Sequence, residues 1–423
     1  MMPPGQPPSV LLVTVDCLRR DRLSVYGYDR PTTPFLDSLL DASLHCTSAH
    51  ATSSWTCPSV ASLMTGLYPN RHGAGLVRGE PKMLTRDNLP SVLGPEVPTL
   101  PDLLSKRGYE TAAFLGVWNA ALPLPKRFDH SVVKEEPGRK LVRRAVKWIR
   151  GRDRPFFCWI HLGDAHDPLA VDGSIKMELG ASLANRARRW AYTKREDDTS
   201  TDAFRTYRDA RVRLYDAAVA SSDAAIAQLW EGIGTRRDQT LLVVTSDHGE
   251  ELWEHRDEEI ESFEDPRAIF GVGHGHNLFQ VHLLVPLLFH GLGIAPGAVD
   301  ANASLADVMP TVLGSLEGEA AESDGVSLLD RIDPGRPVVA EGIAYGNEKK
   351  SVVAANSKLL SSPRDGYERA FRLGSSRLEE SVEDESVAGR LRALIPGGAG
   401  TMGEQAESSP EILEHLRGLG YIE

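Results

Sequence analysis

The chain has 423 residues, 41% hydrophobic and 25% charged, which suits one large globular α/β domain with a smaller appendage. Its net charge of −12 argues against a nucleic-acid or membrane partner, because both need a cationic surface. No apolar run approaches the roughly 20 residues that span a bilayer, and the amino terminus lacks the basic region and separate apolar core of a leader, so a cytoplasmic location is expected.

The first predicted element is a strand, Val10 to Val15, apolar but for Thr14 and ending on Asp16. Thr56 to Gly66 comes next, and Pro58 in its first turn marks a helix start. Thr56 could cap that helix through its hydroxyl, or carry chemistry, or both. Arg71 follows in Pro69-Asn70-Arg71-His72-Gly73, either as an anion contact or as a surface turn residue. Leu141 to Ile149 reads as a helix, and Phe156 to Ile160 as a second buried strand, followed by His161 and Asp164. From Arg186 to Arg213 the acidic chain turns basic, with nine Lys/Arg against five Asp/Glu. The insertion 170–213 therefore reads as a solvated helical segment or as a basic lid over an anionic substrate. Tyr215 to Trp230 has an apolar face at helical spacing. Leu241 to Ser246 is the third strand and delivers Asp247-His248-Gly249-Glu250.

Continuous apolar runs suit strands buried on both faces, hence a doubly wound, mostly parallel α/β sheet. Ligands of such sheets bind at the carboxyl ends of strands, where these polar residues lie. Beyond Leu313 a small α+β subdomain is expected, dividing the chain into 1–320 and 321–423. Residues 373–408, rich in Gly, Ser, Glu and Asp, read as a loosely packed loop, and Pro410 to Tyr421 as a closing helix. Lys358, in a predicted strand, is taken as structural. The four cysteines (Cys17, Cys46, Cys57, Cys158) show neither metal-type pairing nor disulfide spacing, so reduced, buried thiols are expected.

A carboxylate beside an imidazole, as in Asp247-His248, suits a divalent metal of intermediate softness. Mn²⁺ or Zn²⁺ is favoured, with Ca²⁺ and Mg²⁺ as alternatives. A threonine hydroxyl is a weak nucleophile, and a metal is the usual activator where no base adjoins.

Thr56-Cys57-Pro58-Ser59-Val60-Ala61-Ser62-Leu63-Met64-Thr65-Gly66 resembles the nucleophile loop of the sulfatase branch of the alkaline phosphatase superfamily. Asp247-His248-Gly249-Glu250, His274-Gly275-His276 before Val285-Pro286-Leu287, and His161-Leu162-Gly163-Asp164-Ala165-His166-Asp167-Pro168 match family segments in the same order. The resemblance implies a metal site built by Asp16, Thr56, Asp247 and His248. It gives Thr56, His166 and His274 catalytic roles, with His166 contacting the transferring group or protonating the leaving oxygen. It makes Arg71, Asp164 and His161 substrate contacts, although His161 also suits a buried strand histidine. The Gly-His-Gly-His repeat leaves His274 and His276 two residues apart in register. One metal is the preferred count; a second, held by Asp164, His166 and His274, is the alternative.

Three positions depart from the family pattern. Thr56 replaces the cysteine that matures to formylglycine, Val60 replaces an arginine, and Cys17 replaces a second carboxylate after Asp16. The expected function is metal-dependent hydrolysis of a phosphate or phosphonate ester on Thr56, with a small anionic ester as partner. The alternatives are sulfate-ester hydrolysis, phosphoryl transfer to an acceptor, and an anion-binding member without turnover.

Overall fold

The computed structural model describes residues 7–171, 173–178, 190–292, 294–318, 321–381, 385–396, 402–407, 410, 413–414 and 417. Its central sheet has eight strands: β1 (Ser9–Val15), β2 (Ser43–Cys46), β3 (Glu110–Leu115), β4 (His130–Val133), β5 (Phe156–Leu162), β6 (Thr240–Ser246), β7 (Leu287–His290) and β8 (Gly297–Val299). Across the sheet the order is β8-β2-β7-β6-β1-β5-β3-β4. From β6 to β4 all neighbours are parallel, whereas β7 runs antiparallel to β6 and β2.

Strands β1, β5 and β6 are buried at every residue. Alternate side chains of one strand feed different cores, as the period of two requires. Leu11, Val13, Cys158, Ile160, Leu242 and Val244 pack under two helices, which are described below with their partners. Val10, Leu12, Phe157, Trp159, Leu241 and Val243 pack on the opposite face. That second face is covered by α1 (Thr56–Thr65), whose Val60, Ala61, Leu63 and Met64 join the same core. The first face is covered by α2 (Gly138–Arg150) and α3 (Asp202–Gly232). Both helices include the segments expected from their apolar periodicity. Residues 202–213 of the basic insertion form the start of α3. There Arg208 pairs with Glu254 at 3.5 Å, and Arg211, buried, pairs with Asp167 and stacks 3.9 Å over Trp190. Those two arginines are paired within the fold; residues 179–189 lie outside the described residues.

The carboxyl-terminal part is an antiparallel sheet of β9 (Pro337–Ala340), β10 (Lys350–Ala354), β11 (Ser357–Ser362), β12 (Tyr367–Leu373) and β13 (Glu379–Ser381), covered by the helix Glu385–Arg392. Within the segment expected as a loose loop, 373–408, residues 379–381 are thus a strand and 385–392 a helix. Glu379 pins β13 by pairing with the buried Lys358 at 2.7 Å and accepting the Gln280 N–H at 2.6 Å. Most of the expected closing helix lies outside the described residues. Among the described residues no helix is long and apolar enough to cross a membrane.

Candidate active site

Strand register decides which side chains meet. Val15 pairs with Leu162 on one side and with Ser246 on the other, so Asp16 and Asp247 emerge side by side one residue later. His161 pairs with Thr14 in the same ladder. Asp16, His161, Asp247 and His248 are all fully buried.

Their hydrogen bonds fix orientation. The Trp159 indole donates to Thr14 Oγ1 at 2.9 Å, and the same hydroxyl hydrogen-bonds His161 Nδ1 at 2.6 Å. His161 Nε2 lies 3.3 Å from Asp16 Oδ2 and 4.0 Å from Asp247 Oδ2. His161 thus lies against the two strand-end carboxylates, with one ligand atom of each within 4.8 Å of the others. His248 Nδ1 donates to the Gly249 carbonyl at 2.8 Å, which aims Nε2 at Asp16 Oδ1 (3.3 Å), Asp247 Oδ2 (3.4 Å) and Thr56 Oγ1 (3.2 Å). Gly249 is required there: a Cβ would lie 2.0 Å from the Val281 carbonyl oxygen.

Thr56 is the first residue of α1, and the N-cap is Trp55, which offers no side-chain cap. The threonine hydroxyl is thus not spent on capping. It accepts the Asn119 side-chain N–H at 3.0 Å and faces His248. Asn119, buried in the turn after β3, escaped the sequence reading; its signal is a lone amide four residues past a strand end.

Cys17 takes a left-handed backbone, φ 62°, which costs a non-glycine residue about 1 kcal/mol or more. Tyr215 holds the turn, donating to the Cys17 carbonyl at 2.5 Å and accepting the Arg19 N–H at 3.0 Å. The turn sets Cys17 Sγ 3.2 Å from Asp16 Oδ1 and 3.5 Å from His274 Nδ1. His274 Nδ1 also lies 3.2 Å from Glu250 Oε1, and its ring centroid is 4.5 Å from that of His248 and 5.2 Å from that of His166. The register of the Gly-His-Gly-His repeat is resolved: His276 turns away to Glu259 at 2.9 Å. Gly275, at φ 79°, makes the reversal between them. Glu250 was visible in its motif but had been given no role.

The titration of these groups follows from burial against charge. Burial raises Asp16, but the imidazoles of His166, His161 and His248 outweigh it and hold the carboxyl well below the usual range. Burial, then the Asp16 charge, push Asp247 up. Burial disfavours charge on His248, yet Asp247 and Asp16 outweigh it and raise the imidazole to about 9. For His274 burial wins over Glu250, and the ring falls to about 4. Burial and the Asp16, Glu250 and Asp247 charges push the Cys17 thiol far up.

A divalent cation fits the Asp16, Asp247 and His248 donors. Asp247 Oδ2 is buried and makes no hydrogen bond. The carboxylates draw a proton onto His248 where a cation would otherwise sit, and Thr56 Oγ1 borders the same point.

Two expected contacts have partners of their own. Arg71 is half exposed, and its guanidinium is taken by Asp324 at 2.8 Å and Glu322 at 2.6 Å. Asp164 accepts the Gly138 N–H with both oxygens, at 3.1 and 3.0 Å, capping α2; burial raises its carboxyl to about 6. Val60 is core, and Cys57 donates to the Asn119 carbonyl at 3.3 Å among apolar neighbours. Beside His166 opens a cavity of about 270 Å³ lined by Glu135, Glu136 and Asp167.

The family model described as Sulfatase matches residues 8–318. The chain is 24% identical over 356 residues to an endo-4-O-sulfatase of Bacteroides thetaiotaomicron, covering 70% of this chain and 64% of that protein. It is 27% identical over 280 residues to a low-salt glycan biosynthesis sulfotransferase of Haloferax volcanii, covering 66% of this chain and 56% of that one. Its matches thus span less than two thirds of the length of these curated relatives. Among solved structures, a phosphonate monoester hydrolase of Agrobacterium radiobacter superposes with a TM-score of 0.70 at 18% identity, covering 92% of this chain and 94% of that one.

Proposed function

Because the chain belongs to the sulfatase family, we propose that it hydrolyses a phosphate or phosphonate ester, with Thr56 attacking and a divalent cation held by Asp16, Asp247 and His248. The observation that carries this reading is the Thr56 hydroxyl. It is buried, freed from capping, oriented by Asn119 and set 3.2 Å from His248 Nε2. A bound divalent ion supplies Lewis-acid activation of that hydroxyl and offsets the charge of the ester.

The chain's own groups do the remaining work. Asn119 donates to Thr56 Oγ1 and so orients the oxygen for in-line attack. The first N–H groups of α1 and its positive end favour the anionic ester oxygens. Attack forms a Thr56 O–P bond as the hydroxyl proton passes to solvent, and breaks the bond to the alcohol, whose oxygen takes a proton through His166. Water then cleaves the phosphothreonine and restores the hydroxyl. The cavity beside His166 would take the departing alcohol, and its carboxylates suit a hydroxyl-rich or cationic group.

Threonine favours phosphoryl over sulfuryl transfer. A formylglycine hydrate can expel sulfate without attack at sulfur, whereas a sulfated threonine has no such exit. The curated relatives named for sulfate chemistry keep sulfate as the rival substrate. The burial of Cys57 among apolar side chains speaks against a shifted formylglycine.

The test is a panel of para-nitrophenyl phosphate, a phosphodiester, a phosphonate monoester and a sulfate ester, each with Mn²⁺, Zn²⁺ or Ca²⁺. Phosphoester turnover that Thr56→Ala abolishes supports the reading. Sulfate turnover that survives Thr56→Ala overturns it, and silence on all four esters favours anion binding without turnover.

A further inference from the structure

A second cavity, of about 410 Å³, opens at the start of α2, with Arg139, Lys140, Arg143 and Asp164 on its walls. It shares Pro137 and Ala170 with the cavity beside His166, so the two adjoin. We propose that this second cavity is a subsite for a second anionic group, a phosphate, sulfate or carboxylate carried by the alcohol part of the substrate. The inference rests on the ester-hydrolysis reading above and extends it to the class of alcohol.

The loop after β5 joins the two cavities. His166 lines the first and Asp164, two residues earlier, lines the second. The Ala170 N–H bonds back to the Asp164 carbonyl at 2.9 Å and fixes the wall between them. An ester placed at Thr56, with its leaving oxygen toward His166, directs its alcohol through the first cavity to the second.

Cations at this place work against the helix. The first turn of α2 carries no acid, and Pro137 at the N-cap offers no side-chain bond. The positive end of the helix dipole disfavours Arg139 and Lys140 there, and Arg139 repels Arg143 at the i,i+4 spacing. Acids outnumber bases in the chain, which has a net charge of −12. Even so, among the described residues Lys140 and Arg143 form no ion pair. Glu136 is taken by Arg144 at 2.6 Å, and Asp164 spends both oxygens on the Gly138 N–H. Local stability is given up where these cations converge on a cavity, as it is at sites that a ligand completes.

The two linings also sort the charges along the substrate. Arginine offers paired N–H groups to two oxygens and lysine a point charge, so the second cavity suits an oxyanion. Glu135, Glu136 and Asp167 on the first cavity repel an anion at that point. The second charge therefore belongs at the far end of the alcohol, not next to the ester. A hydroxyl-rich chain or ring ending in an anion satisfies both cavities.

The experiment titrates the full-length, metal-loaded protein by calorimetry with two alkylphosphonates of equal length. One ends in a hydroxyl and the other in a second phosphonate, over a series of spacers. At the best spacer the bis-anion should bind about tenfold tighter or more. Lys140 and Arg143 are exposed, so Lys140→Ala/Arg143→Ala leaves the core intact; it should bring the preference down to about twofold or less. Lys147→Ala/Arg150→Ala removes the same charge from the last turn of α2 and should keep the preference. No preference in the wild type, no binding of either ligand, or a preference that survives Lys140→Ala/Arg143→Ala overturns the subsite. Free inorganic phosphate binding to the hydroxyl-ended complex, without preference for the linked anion, overturns its assignment to the substrate. Because binding needs no turnover, the two readings fail separately. The preference without hydrolysis of any ester removes the Thr56 chemistry and keeps the subsite, and hydrolysis of simple esters without the preference does the reverse.

Discussion

At the carboxyl ends of β1 and β6, three carboxylates (Asp16, Asp247 and Glu250) are buried with imidazoles as their charged partners among the described residues. Between β11 and β13, by contrast, the equally buried Lys358 ammonium meets Glu379 at 2.7 Å and the Leu278 carbonyl at 2.5 Å. Both regions hold buried charge, yet the second closes on itself and the first does not. Closed pairs of this kind lock elements together, here the carboxyl-terminal sheet to the chain just after His274. Open ones cost stability and persist where a ligand completes them. Charge balance, more than burial, separates the working cluster from the structural one.

The comparison breaks first at Thr56. Thr56→Ala is expected to lower phosphoester turnover by about 10³-fold or more while leaving the unfolding midpoint nearly unchanged. A fall in stability to match the lost activity would make Thr56 structural.

Lys358→Met should do the opposite. Stranding Glu379 is expected to cost about 3–5 kcal/mol in denaturant unfolding, with turnover per folded molecule within about twofold of wild type.

A third kind of buried charge sharpens the contrast. Asp223 accepts the Phe35 and Leu36 N–H groups at 2.8 and 3.1 Å, and burial raises its carboxyl to about 7. A raised acid binds its proton more tightly in the fold, so its contribution is full below pH about 4 and fades as pH rises through about 7. The decline should reach at most about 4 kcal/mol, and urea midpoints across pH should show Asp223→Asn removing it.

The smallest effect belongs to Arg71. Paired on the surface with Glu322 and Asp324, it should cost about 0–1 kcal/mol on Arg71→Ala and leave turnover within twofold. A large rise in KM would restore its expected role as an anion contact.

The sequence made the parallel core legible because apolar runs ending in Asp16, His161 and Asp247 can hardly be placed otherwise. Thr56 was legible from its loop, although its place as first helical residue, with no capping duty, needed coordinates. Asn119 and Glu250 were missed because neither carries a spacing signal; both matter through neighbours distant in sequence. The partners of Arg71 and Asp164 were illegible for the same reason, since they are Glu322, Asp324 and the Gly138 amide. The strand at 379–381 was illegible because composition cannot register one buried ion pair, Glu379 with Lys358, that anchors it.

The most direct measurement is to quench the metal-loaded protein during turnover of a phosphoester and map the Thr56–Thr65 peptide by mass spectrometry. The account predicts a phosphoryl group on Thr56, absent from Thr56→Ala, and an unmodified Cys57. Formylglycine at Cys57, or turnover whose adduct sits on another residue, would contradict it.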